Sequence, residues 1–216
     1  MNSIVRLYFH IGSSNKKQSA SASIIKFNNE FYIATAAHCL YDVATKEKAK
    51  NVYVELTKAK KVHLKIQTII IPEKWKLTGD LSFDYAFGKI EDSSEISEFL
   101  VPNFDFVPGI NDNSIYYFGG YPIKIFNTKL VLASGKVDSL HFEQGNLIGV
   151  PSKLTSGVSG GPLFLEDCNN RVQIGVASFK TKRIKEIVWV TSWNNLTKEI
   201  LEFLSKSSAR DGYIFI

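Results

Sequence analysis

Ser156-Gly157-Val158-Ser159-Gly160-Gly161-Pro162-Leu163 is the segment on which the reading of this 216-residue chain turns. A serine set between glycines is what an exposed nucleophile on a tight turn requires. Gly160 and Gly161 remove side-chain bulk where a substrate would approach, and the flanking backbone N–H groups can converge on a developing oxyanion. A glycine-rich turn ended by proline also serves as a plain turn, so the segment needs companions elsewhere in the chain.

Two further segments supply them. In Ile33-Ala34-Thr35-Ala36-Ala37-His38-Cys39 a strand-like run passes into small residues and then a histidine, which places an imidazole at a strand end without crowding it. A neutral imidazole there can accept a serine proton and return it to a leaving amine, although a core histidine with satisfied hydrogen bonds would look the same. His10, His63 and His141 lack such a frame and read as core or exposed residues. In Phe83-Asp84-Tyr85-Ala86-Phe87-Gly88-Lys89-Ile90 an aspartate opens an apolar strand, where it is poorly solvated unless a donor such as a buried imidazole N–H bonds to it. Asp80 competes for that role, but Thr78-Gly79-Asp80 reads as a polar turn.

Around these segments the periodicity is mostly that of strands. Runs rich in Ile, Val, Tyr and Phe cover residues 5–11, 22–27, 31–36, 52–56, 62–71 and 85–90, with a hairpin expected at Asn28-Asn29-Glu30. The interval 91–113 is acidic, serine-rich and broken by Pro102, Pro108 and Gly109. It reads as a connector with one helical turn around Ile96 to Leu100. Strand-like runs resume at 115–118, 130–137, 146–150, 161–165, 172–179 and 187–191. Leu196, Ile200, Leu201 and Leu204 then fall at helical spacing, with Ser192 or an asparagine at 194 or 195 available as cap. The expectation is two all-β halves, barrels or sandwiches, joined by a connector and closed by one helix.

Hydrophobic residues make up 44% of the chain and charged residues 22%, which excludes a disordered or fibrous protein. The formal charge of +5 comes from scattered lysines with no recognisable nucleic-acid module, so no nucleic-acid partner is expected. No apolar run reaches the roughly 18 residues of a membrane span, and no membrane role is expected. Cys39 and Cys168 are too few for a disulfide scaffold, and their spacing is not that of metal ligands.

The three segments, in the order His, Asp, Ser, resemble the motifs of the trypsin-like (chymotrypsin-fold) serine proteases. Thr35-Ala36-Ala37-His38-Cys39 is similar to that family's histidine motif, Asp84-Tyr85-Ala86-Phe87 to its aspartate motif, and Gly157-Val158-Ser159-Gly160-Gly161-Pro162 to its Gly-Asp-Ser-Gly-Gly-Pro motif. Tyr85 and Phe87 lean toward the bacterial branch. The resemblance implies an all-β fold of two antiparallel β-barrels of the chymotrypsin type with a C-terminal helix. It places an N-terminal barrel at 1–92, a connector at 93–113, a second barrel at 114–192 and the helix and tail at 193–216.

It also implies a serine endopeptidase acting on protein or peptide substrates through an acyl-enzyme, with no metal or organic cofactor. Ser159 would be the nucleophile, His38 the base and then acid, and Asp84 the group that orients the imidazole. The N–H groups of Gly157 and Ser159 would form the oxyanion hole. Ser178, in Val176-Ala177-Ser178-Phe179, matches the serine that supports the triad aspartate. Lys153, Leu154, Ser156, Ala177, Phe179 and Lys180 would line the substrate site.

Several positions depart from the family pattern. Val158 replaces the aspartate that takes a salt bridge from a freed N-terminal amine, and Ile4-Val5 is followed by Arg6-Leu7, so activation by N-terminal cleavage is not expected. The stretch Ala20-Ser21-Ala22-Ser23 holds no cysteine to bridge to Cys39. Free thiols and a start without a visible leader give the expectation of a cytoplasmic protein. Lys153 stands where enzymes that cut after Lys or Arg carry an aspartate, and Lys180 stands where deep pockets have glycine. Trypsin specificity is therefore excluded, and small or acidic residues before the cut are expected if those lysines face the pocket rather than solvent. Without an N-terminal switch, control would rest on narrow specificity or on an activating protein partner that orders the 157–159 turn. The alternative is a catalytically silent protease-fold module that binds a partner.

Overall fold

The computed structural model describes residues 2–12, 16–56, 61–107, 113–122, 129–143, 145–153, 157–167, 170–179, 186–207 and 212–216. The apolar runs of the first half form strands β1 (Ile4–His10), β2 (Gln18–Phe27), β3 (Glu30–Thr35), β4 (Tyr41–Asp42), β5 (Glu47–Lys48), β6 (Lys50–Leu56), β7 (Val62–Ile71) and β8 (Ala86–Ile90), with a short helix α1 (Glu73–Thr78) after β7. Period-two burial decides which side chains turn inward: in β6, Val52, Val54 and Leu56 are buried while their neighbours are not. Asn28 and Asn29 take the left-handed backbone that a tight hairpin demands, with φ of 49° and 63°. The strands run in the order β7-β6-β1-β2-β3-β8, and β7 pairs again with β8 to close the barrel.

The second half contains β9 (Val101–Pro102), β10 (Ile115–Gly120), β11 (Val131–Lys136), β12 (His141–Phe142), β13 (Leu147–Pro151), β14 (Pro162–Asp167), β15 (Asn170–Phe179) and β16 (Ile187–Ser192). Its order is β11-β10-β14-β15-β16-β13-β12, a curled sheet whose edge strands do not pair among the described residues. The fold is thus of the chymotrypsin type, with one closed barrel and one half-barrel sheet.

The connector departs from expectation. No helical turn forms at Ile96 to Leu100. A single turn closes from Ile96 N–H to the Ser93 carbonyl, and the chain then runs extended. The backbone of Leu100 exchanges bonds with Ile24 and Lys26, and β9 adds in parallel to β15. These inter-strand bonds satisfy backbone groups that one isolated helical turn would leave open.

Helix α2 (Asn195–Lys206) starts at Asn194, whose side chain accepts from Thr197 N–H while Thr197 answers the Asn194 N–H. Its buried face, Ile200, Leu201 and Leu204, joins Phe87, Phe164 and Trp193 in a core shared by both halves. Each such side chain contributes about 1.5–3 kcal/mol of burial. Beyond the helix the chain returns to the first half, where β17 (Gly212–Phe215) pairs in parallel with β7. The tail read with the helix is therefore a seventh strand of the first sheet. Among the described residues no helix is long and apolar enough to cross a membrane.

Candidate active site

His38 sits in one 3₁₀ turn, Ala37–Cys39, immediately after β3. Ala36 and Ala37 are fully buried, so small side chains let this turn press against the barrel wall. Asp84 lies between a second 3₁₀ turn (Leu81–Phe83) and β8, and it is 1% exposed. A buried carboxylate needs donors for its oxygens, and three meet it. Its Oδ1 accepts from the His38 backbone N–H at 2.8 Å. Its Oδ2 accepts from His38 Nδ1 at 2.7 Å and from the hydroxyl of buried Ser178. With Nδ1 as donor, Nε2 of the neutral ring is left as an acceptor.

Burial of the His38 ring works against its charged form, but the neighbouring Cys39 sulfur and the Asp84 carboxylate favour it. The balance holds the imidazole well above its ordinary value. Cys39 itself is buried and free. Cys168 lies outside the described residues.

Asp80 is not part of this arrangement. It caps the 3₁₀ turn by accepting from Ser82 N–H at 3.0 Å, and it faces Lys74 at the surface. His63 is exposed beside Glu55, and His141 lies exposed on β12. His10 is half-buried on β1.

Ser159 occupies the turn between β13 and β14. Gly157 and Gly160 have φ of 101° and 78°, conformations that L side chains resist. A Cβ on Gly160 would meet Thr35 Oγ1 at 2.1 Å and the Ser21 carbonyl at 2.2 Å. One on Gly161 would meet the Gly119 carbonyl at 2.0 Å. The two glycines therefore seat the turn against β2, β3 and β10.

Hydrogen bonds complete the seating: Gly160 N–H donates to Ala177, Gly161 N–H to Val158, and Ala177 N–H to Gly161. Among the described residues, no backbone acceptor takes the N–H of Gly157 or Ser159. His38 and Ser159 line one groove of about 390 Å³, together with Gly157, Phe9, Gln18 and Asp42.

The expected substrate-side residues are placed unevenly. Ala177 is buried with its backbone engaged by the serine turn. Phe179 is half-buried and stacks on Trp189 at 6.2 Å. Lys153 is exposed. Leu154, Ser156 and Lys180 lie outside the described residues. Val158 is buried in the apolar core of the second half, with Phe118, Leu163 and Val188.

Sequence reading missed Ser21, Thr35 and the groove wall of Phe9, Gln18 and Asp42. The signal for Ser21 was present, since a serine alternating with alanines in Ala20-Ser21-Ala22-Ser23 marks a strand with polar groups turned into a packed face.

Residues 3–103 match the protein-family model described as Trypsin. Among solved structures the chain is similar to AL20, a thermostable serine protease from an extremophilic microorganism, at 19% identity and a TM-score of 0.80 over 96% of this chain and 98% of that one. It is also similar to protease Anisep from Arthrobacter nicotinovorans, at 19% identity and a TM-score of 0.78 over 95% and 96% of the two chains. A Glu endopeptidase in complex with MPD is similar at 20% identity and a TM-score of 0.72 over 95% of this chain and 91% of that one. A search of curated proteins finds no match.

Proposed function

We propose that this trypsin-like chain, of chymotrypsin-type fold, is an active serine endopeptidase with His38, Asp84 and Ser159 as its triad. The observation that carries the reading is the Asp84 carboxylate, shared by the His38 ring, the His38 amide and the Ser178 hydroxyl, with Ser159 on the same groove as that ring. Bonded this way, His38 keeps Nε2 as the acceptor that a general base requires. Ser159 Oγ attacks the scissile carbonyl as His38 takes its proton, and the tetrahedral oxyanion forms beside the N–H groups of Gly157 and Ser159. Collapse expels the amine, which receives the proton from His38. Water then repeats the sequence on the acyl-enzyme to release the acid and free Ser159. Asp84 orients the ring and stabilises the imidazolium.

For specificity, a small or acidic residue before the cut is favoured where the exposed Lys153 side chain turns toward it, and not where that side chain stays in solvent. No negative charge on that segment would attract Lys or Arg. Control then rests on this narrow preference or on an activating partner at the 157–159 turn.

The test is labelling with a fluorophosphonate probe, which reacts with an activated serine. Wild type should be labelled and Ser159→Ala should not, and terminal-labelling proteomics against the same variant identifies the cut sites. Equal behaviour of the two proteins toward the probe would replace this reading with that of a silent binding module.

A further inference from the structure

Ser21, on β2 of the closed barrel, has all of its polar groups committed, and two of them reach the serine turn of the other half. Its hydroxyl donates to the Gly157 carbonyl at 2.8 Å and accepts from Tyr121 N–H at 2.8 Å. Its backbone N–H donates to the Ser159 carbonyl at 2.9 Å, and its carbonyl accepts from the Thr35 hydroxyl at 2.9 Å. The side chain is fully buried. Gly120 is what lets β10 come this close, because a Cβ there would sit 2.6 Å from Ser21 Oγ.

We infer that Ser21 is a positioning residue for the oxyanion donors, an inference that rests on the reading of Gly157 and Ser159 given above. The peptide joining Gly157 to Val158 lies between the two donor N–H groups. Peptide planarity means that fixing its carbonyl fixes the whole unit. Nothing intrinsic to Gly157 does so, since a residue without Cβ rotates freely and here stands at φ of 101°. The next peptide, Val158–Ser159, is held from within the second half by the Gly161 N–H on the Val158 carbonyl, and the one after it, Ser159–Gly160, from both halves, by Gly160 with Ala177 and by the Ser21 N–H on the Ser159 carbonyl. The Gly157–Val158 peptide is held from the other half of the molecule, by one hydroxyl. Ser21 thereby couples the half that carries His38 and Asp84 to the geometry of the turn that carries Ser159.

A hydroxyl that acts this way supports the transition state and leaves ground-state binding alone, so its loss should lower kcat with KM unchanged. For Ser21→Ala, hydrolysis of p-nitrophenyl acetate should lose about 10- to 100-fold in kcat, somewhat less than deleting an oxyanion donor outright. The rate of fluorophosphonate labelling should fall in parallel. Ser21→Cys, which keeps the shape and a weak donor, should fall between.

Ser23→Ala is the structural control. Ser23 is equally buried, two residues along the same strand, and bonds Gln173 across the two halves at 2.7 Å without touching the turn. It should lower the melting temperature comparably and leave kcat within about threefold. The inference is overturned if Ser21→Ala keeps wild-type kcat, or if Ser21→Ala and Ser23→Ala lose kcat alike. Should Ser21→Ala fail to fold, Ser21→Cys decides: wild-type kcat in that variant refutes the inference. An inactive wild type indistinguishable from Ser159→Ala would instead refute the endopeptidase reading itself.

Discussion

Replacing Asp84 by asparagine changes one atom and inverts the logic of the site. The carboxylate accepts three hydrogen bonds, two of them from His38. An amide has one oxygen, so if that oxygen keeps the His38 backbone N–H, its NH₂ group faces Nδ1. The ring must then present a lone pair at Nδ1, which moves its proton to Nε2, where it meets Ser159 as a donor. The base is lost, and so is the charge that steadies the imidazolium. With an effective dielectric of about 20, a charge pair about 4 Å apart is worth about 4 kcal/mol. Holding the ring in the unsupported tautomer costs about one hydrogen bond more, or 1–2 kcal/mol. The sum, about 5–6 kcal/mol, corresponds to a loss of about 10⁴-fold in kcat, the size this change has in the type serine-protease triad. The assay is steady-state ester hydrolysis by Asp84→Asn, with circular dichroism to show a folded chain. A folded variant that loses less than about 100-fold, or an Asp80→Asn variant damaged as severely, would refute the reasoning.

In the proposed mechanism the neutral form of His38 is the base, and its raised value should set the pH profile. Activity should climb with pH through a midpoint above the ordinary imidazole value of 6.5, and a midpoint below it would contradict the pairing with Asp84. The same shift bears on stability. The raised value makes the pairing stabilising below the unfolded imidazole value, and this contribution is lost as pH rises through the folded one. His38→Ala should therefore cost more stability at pH 5 than at pH 9 in thermal melts. The tail strand should matter to the His38 loop, because the Tyr213 hydroxyl bonds the carbonyls of Ala49 and Leu40 at 2.8 and 3.2 Å. Tyr213→Phe should cost about 1 kcal/mol, a melting temperature about 2–4 °C lower, and an unchanged melt would show that the tail does not brace the loop. Reducing agent should leave the melting temperature unchanged, since Cys39 is buried and free, whereas a bridge would be worth about 2–5 kcal/mol.

What the amino-acid sequence by itself determined is whatever depends on neighbours along the chain. Short runs of Ile, Val, Tyr and Phe marked the strands, the asparagine pair marked the hairpin, and the helical spacing of leucines and isoleucine marked α2. The glycines around Ser159, the alanines before His38 and the apolar strand behind Asp84 marked the three site segments, because each local frame exists to hold one side chain. Asp84 was separable from Asp80 for the same reason, one opening a strand and the other closing a turn.

The tertiary structure alone decided what depends on partners far apart in the chain. It brought the His38 backbone N–H to Asp84 Oδ1, and Ser21 to the Gly157 carbonyl across 136 residues. It sent the tail back to β7 and drew the connector out as a strand along β15. None of these has a local signature. An edge strand accepts any backbone with free N–H and C=O groups, and a buried hydroxyl takes whichever carbonyl packing delivers, so the choice is made only when the two halves close on each other.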